Sequence, residues 1–241
     1  MNDSFAPGAR SFATTQWSRV RAAGIDDTQG AEALERICRD YWYPLYAFVR
    51  RRGHGSADAK DLTQSFFASL IEKNTLARAD AGRGKLRTFL LAAMQNFLAN
   101  EHDRAHALKR GGGAVLEWDA LDAEGRLAAE PAAGDATAEM RFDQQWARTL
   151  VERALELLRA EHESAGKGAL FAALRGSLTG AEPPRAETMA ALGLSESAVK
   201  AAVHRLRARY REMIRAEVAR TVEADADVEA EMRHLAALLR Q

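Results

Sequence analysis

Basic side chains recur along one stretch near the end of the chain, and their types and spacing suit contact with a polyanion. The cations and the one imidazole of this stretch are Lys200, His204, Arg205, Arg207 and Arg211. Apolar residues fall between them at helical spacing, at Val199, Val203, Leu206, Tyr210 and Met213. Arginine and lysine pair with phosphate oxygens and with guanine edges. The pattern therefore predicts a helix that packs on the protein with one face and meets nucleic acid with the other.

A short helix and a tight turn must position this basic helix, and the sequence supplies both. The stretch "ETMAALG" has the pattern of a helix end, and Gly193 gives the turn the backbone freedom it needs. Ser195 suits the N-cap of the second helix. Two helices joined in this way form a helix-turn-helix, whose second helix reaches base edges with its first turns. Ser195 and Ser197 therefore join the predicted DNA contacts. The alternative is an ordinary amphipathic helix with a solvated basic face.

The composition excludes several classes of protein. The chain has 241 residues, a net charge of +0 and a pI of about 7.0, so it is not a uniformly basic nucleic-acid binder. Its charges are segregated, with acidic stretches at 117–139 and 223–231. The single cysteine, Cys38, excludes an internal disulfide and a cysteine-rich zinc site. No apolar run approaches a membrane span, and "MNDSFAPGAR" lacks the features of a secretory signal. We therefore expect a cytoplasmic protein with no membrane partner.

Helical periodicity dominates the chain, and no segment shows the alternation of a strand, so we predict an all-α protein. We expect two small helical domains joined by a flexible acidic linker, followed by a C-terminal amphipathic helix. The predicted divisions are an N-terminal extension at 1–30, a first domain at 31–110, the linker at 111–140, a second domain at 141–220 and an acidic helical extension at 221–241. Pro44 should kink or restart the first helix. One of the consecutive residues Tyr41, Trp42 and Tyr43 should face outward.

Several stretches, in order along the chain, resemble parts of the extracytoplasmic-function sigma factors of the sigma-70 family. These proteins are the promoter-reading subunits of bacterial RNA polymerase. The stretch "YWYPLYAFVRRRG" resembles their region 2.1, "SADAKDLTQSFFASLIEK" resembles region 2.2, and "GKLRTFLLAAMQNFLANEHDR" resembles regions 2.3 and 2.4. The stretch "ETMAALGLSESAVKAAVHRLRARYREMI" is similar to region 4, the helix-turn-helix.

The resemblance implies a division of labour on RNA polymerase. The first domain would bind the β′ coiled coil of the core enzyme and melt the promoter −10 element, and the second would meet the β flap and read the −35 element. Asp58, Asp61 and Gln64 match the polymerase-binding positions. Asn96 matches an asparagine that reads a flipped base, with Phe89 as its aromatic support. The implied phosphate contacts are Arg83, Lys85, Arg87, Arg104, Lys109 and Arg110.

The chain departs from the family pattern at its recognition motifs and at its end. Lys60 stands where the region 2.2 motif has glutamate, which weakens the acidic surface offered to polymerase. Ala201 and Ala202 replace a serine–arginine pair of the recognition helix, so a promoter preference is not carried over. The helix near the C-terminus is an addition to the minimal family. It would either fold over the basic helix as an acidic inhibitor or, as its apolar positions favour, extend the core.

Thr63 suggests a regulatory hypothesis, because it lies beside Asp61 in the polymerase-binding motif. Phosphorylation there would add about −1.5 to −2 charges and restore the missing acidic surface. The alternative, which we favour, is an unmodified and exposed threonine. A regulatory kinase or an anti-sigma protein is accordingly a further candidate partner.

No catalytic constellation is evident in the sequence. His102 and His106 would share a helix face but have no third metal ligand, and Gly166-Lys167 lacks the rest of a phosphate loop. We therefore expect no enzymatic activity, no cofactor and no metal. Two other classes stay open. One is a stand-alone helix-turn-helix transcriptional regulator whose first domain senses a ligand or binds a partner. The other is an all-α interaction protein that mimics nucleic acid with its acidic segments.

Overall fold

The computed structural model describes residues 28–73, 85–107, 123–130, 136–180, 185–222 and 225–240. These residues form helices and no strand, which confirms the all-α prediction for the described part of the chain. In chain order the α-helices are α1 (Thr28–Arg51), α2 (Ser56–Glu72), α3 (Leu86–Ala107), α4 (Ala123–Ala128), α5 (Ala138–Ser164), α6 (Gly168–Leu174), α7 (Arg185–Leu192), α8 (Glu196–Ala219) and α9 (Asp225–Leu238). A 3-10 helix, Arg175–Thr179, follows α6. Within these ranges, no helix has both the length and the apolarity to span a bilayer.

Helix α1 is the centre of the fold, and it is buried on more than one side. It contacts α2, α4 and α5. Tyr41, Trp42 and Tyr43 are 2%, 4% and 6% exposed, so the expectation that one of them faces outward was wrong. Tyr41 accepts a hydrogen bond from Trp146 of α5, whereas Tyr43 contacts Arg126 and Glu130 at and just after α4, so opposite sides of α1 are both covered. The helix also continues through Pro44 as one element, so the predicted restart does not occur.

Two long helices, α5 and α8, contribute to two separate hydrophobic clusters. The main cluster surrounds α1 and includes Phe142 and Trp146 from the start of α5 and Val218 from the end of α8. The second cluster includes Leu158 from later in α5 and Leu206 from earlier in α8. A helix of 27 residues, as α5 is, extends about 40 Å and can serve both. The predicted two-domain architecture is not confirmed, because a helix assigned to the second domain also builds the core of the first.

Part of the predicted flexible linker is helical and packed. Residues 123–130, which include α4, lie against α1, and Ala123 is buried there. The other linker residues at 111–122 and 131–135 lie outside the described residues. The N-terminal extension falls outside them up to residue 27.

The C-terminal helix α9 extends the main core. Val228 and Leu235 are buried in the cluster around α1, and Met232 packs against it. The core-extending alternative is the one that the described contacts support. Among the ion pairs of the described residues, the one between Glu229 and Arg215 is the only one that joins α9 to α8. Arg215 lies well after the first turns of α8, which are the turns predicted to read bases.

Candidate nucleic-acid interface

The turn between α7 and α8 has the geometry that a helix-turn-helix requires. Gly193 adopts φ 62°, a left-handed conformation that ends α7. The amide of Leu194 donates to the Met189 carbonyl at 3.2 Å, which satisfies one carbonyl of the last helical turn. Ser195 then caps α8, because its hydroxyl accepts from the Ala198 amide at 3.3 Å. The two helices and the turn predicted from "ALGLSES" are therefore present.

The inner face of α8 holds this unit to the second cluster. Val199, Ala202 and Leu206 are buried there with Phe171 of α6. Ala202, where the sequence pattern of the resembling family has an arginine, is buried in this packed face and so contributes to the core and not to the outer surface. The neighbouring Ala201 is exposed and presents only a methyl group to a ligand.

The outer face of α8 presents the predicted cations, although not all are equally available. His204, Arg205 and Arg211 are exposed and form no hydrogen bond or ion pair with another described residue. Lys200 pairs with Glu196 at 2.9 Å one turn earlier, an exposed contact that is easily exchanged. Arg207 is more constrained, because its Nε donates to the Ser177 carbonyl of the 3-10 helix at 3.0 Å. The hydroxyls of Ser195 and Ser197 lie 3.0 Å apart at the start of the helix.

One arginine of α8 that we did not single out from the sequence acts as an anchor. Arg209 donates to both carboxylate oxygens of Glu161 on α5, at 2.6 and 3.0 Å, and also pairs with Glu212. These contacts raise the pKa of Arg209, and the guanidinium lowers the pKa of Glu161. Tyr210 adds a hydrogen bond to the Val151 carbonyl of α5 at 2.8 Å. Helical spacing gave no sign of Arg209's role, because its partner lies on another helix.

A groove between α2 and α3 brings together two of the residues predicted to handle an unpaired base. It has a volume of about 370 Å³, and Phe89 and Asn96 both line it. Asn96 is exposed, while Phe89 is half-buried against the core. The other aromatic and polar groups of the groove are Phe66, Ser69, Lys73, Phe97 and Asn100. Aromatic surface beside amide groups suits stacking and hydrogen bonding to a base. Asn100 lies one helical turn after Asn96, so its place in the groove was readable from the spacing.

A second groove, of about 600 Å³, lies between α2, α3 and the end of α1. The exposed Asp58 and Asp61 line it together with the apolar Leu62 and Leu98. Arg52 and His54 also line it, so the rim carries charges of both signs around an apolar floor. Such a groove suits a partner helix that is charged at its rim and apolar at its centre. Gln64, the third residue predicted to bind polymerase, is half-buried and is not part of this lining.

Two of the residues predicted to contact phosphate, Lys85 and Arg87, form ion pairs within the protein. Arg87 is 6% exposed, so the prediction that it meets DNA was wrong for this conformation. Its Nε donates to Glu231 of α9 at 3.0 Å, and its guanidinium lies over the Trp146 ring, 4.8 Å from the centroid. The ammonium of Lys85 pairs with the other oxygen of Glu231. Arg83, Arg104, Lys109 and Arg110 lie outside the described side chains.

Thr63 is buried, and the expectation that it is exposed was wrong. The residue has no solvent exposure, and its hydroxyl donates to the Ala59 carbonyl at 2.7 Å. It lies on the packed face of α2 with Phe66, Phe67 and Leu70, whereas Asp61 faces the groove. A kinase cannot reach this hydroxyl while α2 is packed. Phosphorylation of Thr63 stays a prediction only for a state in which α2 is displaced.

We expect Thr63→Glu to destabilise the fold by roughly 3 kcal/mol or more, because it forces a carboxylate into an apolar contact. Thr63→Val keeps the shape and loses only one hydrogen bond, so it should cost about 1 kcal/mol. Urea denaturation followed by circular dichroism measures both. Equal stability of the two variants would contradict the buried position. The same comparison shows whether Thr63→Glu can serve as a phosphate mimic in any binding assay.

No group of three or more histidine, cysteine, aspartate or glutamate residues in the described ranges has the arrangement of a metal site. Comparison with protein-family models, with curated proteins and with solved structures finds no match to the chain. A function must therefore be inferred from the geometry of the described residues and from the sequence motifs.

Proposed function

We propose that this chain is a promoter-specificity subunit of bacterial RNA polymerase, a sigma factor of the extracytoplasmic-function type with no catalytic activity of its own. It would act in the cytoplasm, where it would bind core polymerase and set the site of transcription initiation. The observation that carries the proposal is the groove that holds Phe89 and Asn96, on the same chain as a capped helix-turn-helix. A regulator that reads only duplex DNA needs the second feature and has no use for the first.

Each surface has a role in this proposal. The exposed face of α8, with His204, Arg205 and Arg211, would read the −35 element in the major groove. The groove at Asn96 would take an unpaired base of the melted −10 element. The groove lined by Asp58 and Asp61 would receive the β′ coiled coil of the core enzyme. These roles come from the sequence resemblance, and the described geometry is compatible with them because it leaves Asn96, Asp58 and Asp61 exposed at the two grooves.

The test is in vitro transcription with bacterial core polymerase and genomic DNA fragments, with and without the purified chain. We expect new initiation sites that share a sequence. Arg205→Ala and Arg211→Ala should each weaken promoter binding by about 5- to 150-fold, because one phosphate or base contact is worth about 1–3 kcal/mol. Arg233→Ala, which removes an exposed cation of α9, is the matched control and should have little effect.

The outcome also separates the competing classes. The chain would be a stand-alone helix-turn-helix regulator, contrary to this proposal, if two results came together. Initiation would not depend on the added chain, and the chain would bind duplex DNA tightly without polymerase. Binding of a protein partner with no dependence on DNA would point to an interaction protein instead.

A further inference from the structure

Residues 123–130, here called the strap, cover one side of α1 through charged contacts. Glu124 accepts hydrogen bonds from Arg50, at 2.7 Å from Nε and 3.1 Å from Nη2, and from the hydroxyl of Tyr46. Glu130 accepts from the Tyr43 hydroxyl at 2.5 Å and pairs with Arg51. Both arginines and both tyrosines therefore direct their polar ends at the two strap carboxylates.

The strap also places a flat cation on an aromatic ring. The guanidinium of Arg126 lies over Tyr43, 4.0 Å from the ring centroid. On the same helix, Trp42 and Tyr46 stack with centroids 5.1 Å apart and planes 8° from parallel. The apolar part of the strap contact is small, since only Ala123 is buried and Leu127 is partly buried. Charge-assisted hydrogen bonds and one cation–π contact hold most of the strap.

Two donors of α1 are buried without a hydrogen-bond partner. Trp42 Nε1 and Arg51 Nη1 are buried and have no hydrogen-bond partner among the described residues. An unsatisfied buried donor costs about 1–3 kcal/mol. Arg51 is the one of the two that contacts the strap, so Glu130 satisfies its guanidinium only in part, and a ligand with more acceptor oxygens would satisfy it better.

We propose that this face of α1 is a binding surface for single-stranded nucleic acid, which the strap occupies as an internal mimic. The carboxylates of Glu124 and Glu130 pair with Arg50 and Arg51 at the positions that phosphates of a bound strand would occupy. The guanidinium of Arg126 lies over the ring of Tyr43 at the position where a base of that strand would stack. The inference goes beyond the sigma-factor proposal, because it requires neither polymerase nor the helix-turn-helix.

Single-stranded nucleic acid fits the chemistry better than the other polyanions. The bases of a duplex are stacked within the helix, so a duplex would use the arginines and leave the ring of Tyr43 without a partner. An acidic peptide would repeat the carboxylate contacts, but it covers that ring only where an arginine or aromatic side chain falls at the right spacing, as Arg126 does in the strap. A single strand supplies phosphates and free base faces together, which matches the two kinds of contact that the strap makes.

The strap and the strand would compete, so weakening the strap should strengthen binding. We expect Glu124→Gln with Glu130→Gln to bind a fluorescein-labelled 12-nucleotide oligothymidylate at least about tenfold more tightly than the original chain. The gain equals the increase in the fraction of molecules whose surface is open. Fluorescence anisotropy on the full chain, without polymerase, measures it, and a duplex of the same length should gain much less.

The matched control is Glu156→Gln with Glu163→Gln, which removes two exposed glutamates of α5 and changes the net charge equally. It should leave oligothymidylate binding nearly unchanged. In the strap variant, adding Arg50→Gln should remove most of the gain. Photocrosslinking of the oligothymidylate should label residues of α1, and this readout applies even where a variant is less stable.

Three results would overturn the proposal. They are an equal gain in the control variant, an equal gain for the duplex, and cross-links confined to α3 or α8. A strap variant that binds core polymerase more tightly but oligothymidylate no better would assign the face to a protein partner and overturn it as well. Because the oligothymidylate assay contains no polymerase, its result is independent of the transcription experiment. Either proposal can therefore fail while the other succeeds.

Discussion

Glu231→Ala should lower the free energy of unfolding by about 3–5 kcal/mol, because it leaves a buried guanidinium without its counter-charge. Glu231 has no solvent exposure, and it accepts from Arg87 Nε at 3.0 Å while also pairing with Lys85. Arg87 has one further carboxylate in reach, Asp143, at the longer distance of 3.4 Å. Urea denaturation monitored by tryptophan fluorescence and circular dichroism measures the loss. Trp146 reports on the site directly, because Arg87 lies over its ring.

Two controls isolate the cause of this loss. Glu229→Ala removes an exposed carboxylate of the same helix, whose pair with Arg215 is solvated, and should cost less than about 1 kcal/mol. Replacing the pair by apolar side chains, with Arg87→Met and Glu231→Leu together, should recover most of the stability because no charge is left buried. A Glu231→Ala cost no larger than that of Glu229→Ala would contradict the ion pair described here.

The Arg87–Glu231 pair also marks the limit of what the sequence predicts. The two residues are 144 positions apart, and no local pattern links them. Arg87 follows a glycine- and arginine-containing stretch and was interpreted from the sequence as a phosphate contact. Its burial depends on α9 packing against α5 so that Glu231 reaches the start of α3, which periodicity does not specify. The sequence indicates which residues form helices, but the partner of each helix face is decided by packing between distant segments.

Local features were predictable because their causes are local. Gly193 and Ser195 define the turn and the cap through their own backbone and hydroxyl chemistry, and the structure has both. Phe89 and Asn96 share a groove because they lie two helical turns apart on α3. Thr63 was misjudged for the opposite reason, since its burial depends on which side of α2 packs against α1. The same holds for the strap, whose acidic composition was interpreted as flexible linker.

The two shared helices have a consequence for function. Helices α5 and α8 each contribute to both hydrophobic clusters. The helix-turn-helix is therefore connected to the main core through continuous helices and not through a flexible linker. The amide of Leu86, at the start of α3, also donates to the Thr221 carbonyl just after α8, at 3.4 Å. Any rearrangement that separates the two surfaces proposed to bind DNA must therefore disturb the junction of α1, α5 and α8.

That junction contains a carboxylate whose ionisation opposes folding. Asp40 of α1 lines a small cavity with Trp146 of α5 and Glu217 of α8. Burial, and next the nearby charge of Glu217, raise the pKa of Asp40 from its ordinary 3.8 to about 6. Arg153 and two arginines of α1 lower it only in part. A group whose pKa is higher in the folded state favours folding when it is protonated, so stability is lost as the pH rises through about 6.

Asp40→Asn should therefore stabilise the chain at pH 7.5 by roughly 1–3 kcal/mol, because it removes a half-buried charge that lies near another carboxylate. The gain should shrink below pH 6 and vanish near pH 4, where Asp40 is already neutral in both states. Urea denaturation at a series of pH values measures it, with Asp227→Asn, an exposed aspartate of α9, as the control for loss of one charge. A gain that does not change with pH, or a loss at pH 7.5, would show that Asp40 is held in its charged form by its arginine neighbours. The pH above which the gain stops increasing reports the pKa of Asp40 in the folded chain, and a value near 6 would support the packed junction of α1, α5 and α8.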